Sequence, residues 1–379
     1  MNPAALSDQA ISDWAGDVAV TVHAAPGVLA QQRDYLAHYL PGRAGDQRLP
    51  GLELTVEHGA AGQAGLAEAT AVLAAGEHRT IEHIPGVVLL EARSRRGARW
   101  YTVAADTIEH RPAAFAVRAV NGTVTVFERD PLQPGYGRPL RLIREAMLRT
   151  YEDHAGVVFH AAGADLNGLG VLVCGPRNAG KTSLLTLLCG SCGAAALSND
   201  RVILTPSTAG APRMVAVPLP VPIARGTLEA TPLLARAVPL LARPAPEDLP
   251  AEFGTPVKAM FSPDEYTRAL HTTMRAASSL QVVVLAGLDD TDTPPQIRRL
   301  SESDAQQVLS RNCFTPRDEF WIEPWFLPRR RRGVELARGA LAFVRELSAT
   351  VPVLQLRSGV HADRHRMIQL LREHVEACR

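Results

Sequence analysis

The chain has 379 residues, 46% of them apolar, more than one ordinary core organises, so two domains are expected. Forty basic residues against 39 acidic ones leave a net charge of +1, which argues against nucleic acid or a membrane surface as a bulk electrostatic partner. Five scattered cysteines, an N-terminus without a basic and then apolar leader, and no apolar run near the ~18 residues of a membrane helix together predict a soluble, cytoplasmic protein.

Residues 1–137 read as β-rich and carry no nameable chemistry. Short runs rich in Val and aromatics at 86–91, 100–104, 113–120 and 123–127 alternate with turn residues, and Asn121-Gly122 is a hairpin signal. An Ala- and Leu-rich helix is expected at 63–75 and a second at 140–153, where Leu140, Ile143, Met147 and Leu148 recur at helical spacing. A strand at 156–160 follows. Next come an apolar strand at 170–174, a Gly-rich loop, a helix from Lys181 to about 188, and a strand at 194–197 ending on Ser198-Asn199-Asp200. That order is the layout of a phosphate-binding α/β core. Frequent prolines from 205 to 256 suggest loops around a site. Order returns with a helix at 263–277, N-capped by Ser262 with Pro263 in its first position. A strand at 281–286 and helices at 302–310 and 334–349 follow, then a strand at 353–356 and a last helix at 361–378. No internal repeat or coiled-coil heptad is visible.

The loop at 175–182, GPRNAGKT, matches Gly-x-x-x-x-Gly-Lys-Thr in full. Its glycines let successive N–H groups face phosphate oxygens, and the helix beneath adds partial positive charge. Gly175, Asn178, Ala179, Gly180, Lys181, Thr182 and Ser183 are the expected nucleotide-binding residues. Lys181 would reach the β- and γ-phosphates, and the Thr182 hydroxyl would bind Mg²⁺. Asp200, ending a strand beside the loop, is expected to hold Mg²⁺ directly or through water. The loop therefore implies a nucleoside triphosphate with Mg²⁺. The chain has 38 Arg and only two Lys, Lys181 and Lys258, and no Asn-Lys-x-Asp motif that would mark a GTPase.

A strand ending in His160, then Asp165, Gly168-Leu169-Gly170-Val171-Leu172, the phosphate loop and Leu197-Ser198-Asn199-Asp200 follow in order. This set resembles the HPr kinase/phosphorylase family, well over residues 140–204 and in outline elsewhere. The resemblance implies an α/β fold: a P-loop core of HPr kinase/PEP carboxykinase type at 138–379 and a β-rich accessory domain at 1–137. It implies an ATP-dependent kinase whose acceptor is a hydroxyl of a peptide, a protein or a biosynthetic small molecule. It also implies His160 in proton transfer, Arg225 of an Arg-Gly element on the transferring phosphoryl group, and a homo-oligomer, since HPr kinases proper are hexameric. The family usually has two adjacent acids where this chain has Asn199 and Asp200, and Asn is no base. Either Asp200 takes both roles, His160 takes more of the proton work, or catalysis is weakened. The alternative reading is accordingly a nucleotide-binding regulatory module.

Three further features read as structural. Cys189 and Cys192 lie at the wrong end of a helix for redox chemistry. His361 and His365 lack the Glu of a zinc helix. The basic run 329–332 after Phe320, Trp321, Trp325 and Phe326 is expected to be a connector, with docking of an acidic peptide as the other reading.

Overall fold

Short Val-rich runs with alternating burial build a meander in the N-terminal half of the chain. The computed structural model describes residues 10–15, 17–39, 49–106, 115–129, 138–207, 210–236, 248–318 and 323–378. Two units emerge, Met1–Asp153 with Arg317–Arg332, and His154–Pro316 with Gly333–Arg379.

In the first unit the elements are β1 (Ala10–Ala15), β2 (Val18–His23), α1 (Pro26–Leu36), β3 (Leu49–Glu57), α2 (Gly59–Ala75), β4 (His78–Ile84), β5 (Val87–Arg93), β6 (Arg99–Asp106), β7 (Phe115–Val120), β8 (Thr123–Glu128) and α3 (Arg138–Asp153). The eight strands form one sheet in the order β1-β2-β3-β8-β7-β6-β5-β4, with β3 parallel to β2 and β8 and the other pairs antiparallel. Asn121, at φ 49°, closes the β7–β8 hairpin where the sequence placed it. α2 lays Ala69 against Trp100 and Phe127, whose rings stack 5.5 Å apart.

The helix at 138–153, expected to open the second domain, packs with the first unit instead, against β2 and β3. Its charged side is buried too, and residues 323–332 return to cover it. Trp325 Nε1 donates to Glu145 at 2.7 Å, Arg329 pairs with Glu152 at 3.2 Å, and the Arg330 and Arg331 amides donate to Asp153. The basic run is thus an internal strap laid on a helix C-terminus. Phe320 and Trp321 lie outside the described residues.

The second unit contains β9 (Val157–Phe159), β10 (Ala161–Leu166), β11 (Leu169–Cys174), α4 (Lys181–Cys192), β12 (Ala195–Ser198), β13 (Val202–Thr205), β14 (Arg213–Ala216), β15 (Val221–Ile223), α5 (Arg225–Glu229), α6 (Pro232–Ala235), β16 (Ala259–Phe261) and α7 (Pro263–Ala269). It continues with β17 (Ala277–Leu285), β18 (Leu288–Asp289), β19 (Gln296–Arg299), α8 (Glu302–Arg311), α9 (Gly333–Thr350), β20 (Val353–Gly359) and α10 (Arg364–Glu376). Its main sheet is mixed, in the order β12-β10-β11-β17-β14-β13-β9, and β20 pairs with the far half of β17. β11 is antiparallel to β10 and parallel to β17, and all six of its residues are buried, as a central strand requires. Leu184, Leu185 and Leu188 of α4 pack into one core with Val171, Val173, Val282 and Val284. Burying each such side chain contributes about 1.5–3 kcal/mol before the entropy of ordering it.

Two stretches depart from expectation. The helix expected at 263–277 ends at Ala269, after a full capping box of Ser262 and Glu265. His271 turns left-handed at φ 52°, and the Thr273 carbonyl then accepts from Ala196 on β12, so pairing with a sheet edge outcompetes further helix. The proline-rich stretch also holds more order than expected, in β14, the β15–β16 ribbon and two short helices.

Candidate functional site

The loop between β11 and α4 runs through three left-handed or related conformations, Gly175 at φ 151°, Asn178 at 64° and Gly180 at 90°. A Cβ on Gly180 would lie 2.5 Å from Leu288, so only glycine fits where the loop enters the helix. No side chain caps α4 and no acid stands in its first turn, which leaves the positive end of the helix facing the loop. Lys181 opens the helix, and its ammonium donates to the carbonyls of Gly175 at 2.9 Å and Pro176 at 3.0 Å. Ala179 is buried and accepts from Leu288 N–H at 3.0 Å, a packing role that fixes the loop to the start of β18.

Thr182 Oγ1 donates to Asn199 Oδ1 at 2.9 Å. Asn199 is buried and belongs to the turn after β12, whose next residue, Asp200, is left-handed at φ 70°. Asp200 has partners of its own. Its carboxylate, 38% exposed, lies 3.3 Å from His160 Nε2 and pairs with the Arg201 guanidinium. Burial works to raise the Asp200 pKa, but Arg201, the His160 hydrogen bond and charge, and Lys181 outweigh it and bring it down to about 2. Asp200 is held as a carboxylate and is a weak base.

The segment after α8 frames this pair, and sequence reasoning missed it. Asn312 Oδ1 accepts from Gly175 N–H at 3.1 Å while its carbonyl accepts from His160 N–H at 2.8 Å. One residue thereby holds the first amide of the loop and the backbone of the histidine. Phe314 stacks on the His160 ring, centroids 4.9 Å apart and planes at 15°, and the buried Arg201 guanidinium sits 4.7 Å from the same phenyl ring. Both partners of Asp200 therefore lean on one aromatic plate. Thr315 accepts from Val158 N–H at 2.9 Å and fixes the segment to β9.

Other expected residues fall beside the loop in different ways. Asn178 Nδ2 donates to Gly254 O at 2.9 Å, and Ser183 Oγ shares a hydrogen bond with Thr227 Oγ1 at 2.8 Å. Arg225, two residues before Thr227, is bound to Glu229 at 2.7 Å and to the Leu249 carbonyl at 3.3 Å, and is not bonded to His160, Asp200 or Lys181. Lys258, by contrast, feels the site: burial first and the Arg177 charge second lower its pKa, while Asp200 acts to raise it. Asp165 is structural, accepting from Gly168 N–H at 2.9 Å and from Ser278 at 2.6 Å to fix the β10–β11 hairpin. Cys189 is buried, its thiol pushed up to about 12, and Gly193 ends the helix just beyond Cys192. His361 is an exposed partner of Asp290 at 2.9 Å.

No helix among the described residues is long and apolar enough to cross a membrane. No group of three or more His, Cys, Asp or Glu among them could by itself hold a metal. No protein-family model matches the chain, and no curated protein matches it. A solved structure, the HPr(Ser) kinase/phosphatase from Coxiella burnetii, is matched over 58% of this chain and 97% of that one, at 11% identity and a TM-score of 0.27. A likeness that slight leaves any functional reading to the geometry of the site itself.

Proposed function

We propose that the second unit is an ATP- and Mg²⁺-dependent kinase that transfers the γ-phosphoryl group to a hydroxyl of a peptide, a protein or a small molecule. The observation that carries this reading is the convergence of His160 and Asp200, 3.3 Å apart, on the turn whose Asn199 holds Thr182 of the phosphate loop.

The residues fit the cofactors. Gly175 and Gly180, at φ 151° and 90°, take backbone conformations that would let the loop's N–H groups face phosphate oxygens, and the uncapped end of α4 with Lys181 suits the β- and γ-phosphates. Thr182 gives its proton to Asn199, which leaves its oxygen lone pairs for a cation. With the Asp200 carboxylate it makes the small donor set that Mg²⁺ uses when phosphates and water supply the rest. The cation would neutralise charge on the transferring group. Asn199 needs no charge for this work, which supports activity despite the missing acid. A carboxyl at about 2 is a poor proton acceptor near neutrality, so His160 takes the acceptor's proton and Asp200 orients and charge-pairs the imidazole.

Incubating the purified chain with γ-labelled ATP, Mg²⁺ and panels of hydroxyl-bearing peptides and metabolites tests the reading. Label should move to an acceptor, and His160→Ala should slow transfer by about 10²–10⁴-fold while nucleotide still binds. Nucleotide binding with no transfer to any acceptor and no ATP turnover would instead support the regulatory module, which the engagement of Asp200 by Arg201 favours.

A further inference from the structure

The chain uses arginine almost everywhere a cation is needed, 38 times, and lysine only twice. One of the two is Lys181 of the phosphate loop. The other, Lys258, belongs to a distant part of the sequence, and three contacts bring it to the same place. Asn178 in the phosphate loop donates to Gly254 O at 2.9 Å, four residues before it. Ala259, immediately after it, pairs with Ile223 in the β15–β16 ribbon, which sets Lys258 at the end of the ribbon where α5 begins. α5 is in turn tied to the first turn of α4 through Thr227 and Ser183 at 2.8 Å. The segment is thus pinned to the phosphate loop on both sides of Lys258, with Arg177 and Asp200 as the charges its ammonium feels.

Resting on the kinase reading, we propose that Lys258 is a catalytic residue whose ammonium contacts the phosphoryl group in transit between nucleotide and acceptor. In that step the acceptor oxygen bonds to the γ-phosphorus while the bond to the β–γ bridging oxygen breaks. ADP leaves with that electron pair, the hydroxyl proton passes to His160, and Lys258 keeps its own proton throughout. Charge spreads over the three equatorial oxygens during the transfer, and a fixed cation there is worth more in the transition state than in the ground state. The structure also accounts for lysine at this position. Arg177 already lends a guanidinium charge nearby, and an ammonium is a compact point charge where a guanidinium fork needs a broad, planar partner. Arg225, by comparison, is bound to Glu229 and to the Leu249 carbonyl.

The test needs no acceptor. Titrate MgADP into the full chain by calorimetry with and without aluminium fluoride, which mimics the transferring phosphoryl group, for wild type, Lys258→Met, Lys258→Gln and Lys258→Arg. Wild type should gain about 10²-fold or more in affinity from aluminium fluoride. Both neutral variants should bind MgADP within about threefold of wild type yet lose most of that gain, and Lys258→Arg should recover only a small part of it. A thermal melt confirms that each variant is folded, and three different side chains guard against one that is not. An undiminished gain in folded Lys258→Met or Lys258→Gln overturns the assignment, as does equal loss of MgADP binding with and without aluminium fluoride. If wild type binds MgADP, gains nothing and turns over no ATP, it is the kinase reading that fails and Lys258 falls with it; a wild-type gain kept by the variants sinks Lys258 alone.

Discussion

At position 199 a neutral amide accepts the Thr182 hydroxyl at 2.9 Å, and at 200 a carboxylate faces His160 at 3.3 Å. The adjacent pair is therefore split between two neighbours rather than shared by one. Asn199→Ala should weaken MgATP binding by about tenfold, the worth of one buried hydrogen bond and the donor it leaves unpaired; calorimetry reads it. Asp200 makes a separate prediction. Its folded pKa of about 2 lies below the ordinary 3.8, so the stability it contributes is complete above about pH 4 and is lost as pH falls through 2. The melting temperature of Asp200→Asn should consequently fall less than that of wild type across that window. In the first unit, burial chiefly raises Glu145 to about 7 from 4.5, against the pull of Arg149, Trp325, Arg141 and Arg329. Burial chiefly lowers neighbouring His83 below 6.5, helped by Arg141 and Arg149. The signs oppose each other. Glu145 costs stability as pH rises from about 4.5 to 7, because the folded state holds the proton longer, whereas His83 costs stability as pH falls below 6.5, because only the unfolded state takes one up. Glu145→Gln removes the first term, and its melting temperature should climb from pH 5 to pH 8 more steeply than that of wild type.

Single elements show which parts of the architecture the sequence carried. The strand, loop and helix from Leu169 to Cys192 were legible because a full apolar run meets a motif with its own backbone demands. The β10–β11 hairpin was not foreseen, although Asn167 at φ 54° closes it with the same Asn-Gly pair used at 121–122. There the flanking runs are buried on both faces, and the alternation that marks a hairpin strand is absent. The helix from Pro263 was legible at its capping box and not at its end, because the competitor at Thr273 is an edge strand almost eighty residues away in sequence. Residues 312–315 left no signal at all, since Asn, Cys, Phe and Thr after a helix are ordinary loop composition. Their contribution comes from contacts with β9, His160 and the phosphate loop, which no local pattern encodes. Phe314→Leu keeps apolar bulk but removes the plate under His160 and Arg201. It should cut kcat by about tenfold with KM for MgATP nearly unchanged, as expected when only transition-state alignment suffers, and Phe314→Tyr should restore most of the loss.

For the whole molecule, the units are not successive stretches of chain. The first is completed only by residues 317–332, which leave the second unit after Pro316 and re-enter it at Gly333. Trp325 and Phe326 in that strap are 3% and 1% exposed, and Trp325 packs on Tyr101 at 5.2 Å and on His83 at 4.9 Å. Trp325→Ala should therefore lower the stability of the first unit by about 3–5 kcal/mol, read by denaturant unfolding. A fragment beginning at His154 would present these two aromatics without the sheet and helix that bury them, and is expected to bind an apolar dye and aggregate where the full chain does neither.

The interleaving also dictates an order of assembly. On the ribosome the N-terminal strands and α3 emerge first, yet the groups that close over Glu145, Glu152 and Asp153 are synthesised more than 170 residues later. Through most of its synthesis the early unit therefore carries an open, charged cleft along α3. Its native state becomes available only after β9 through α8 have left the ribosome, and the second unit, which still needs α9, β20 and α10, is completed later again, so neither unit can finish folding before most of the other has been made.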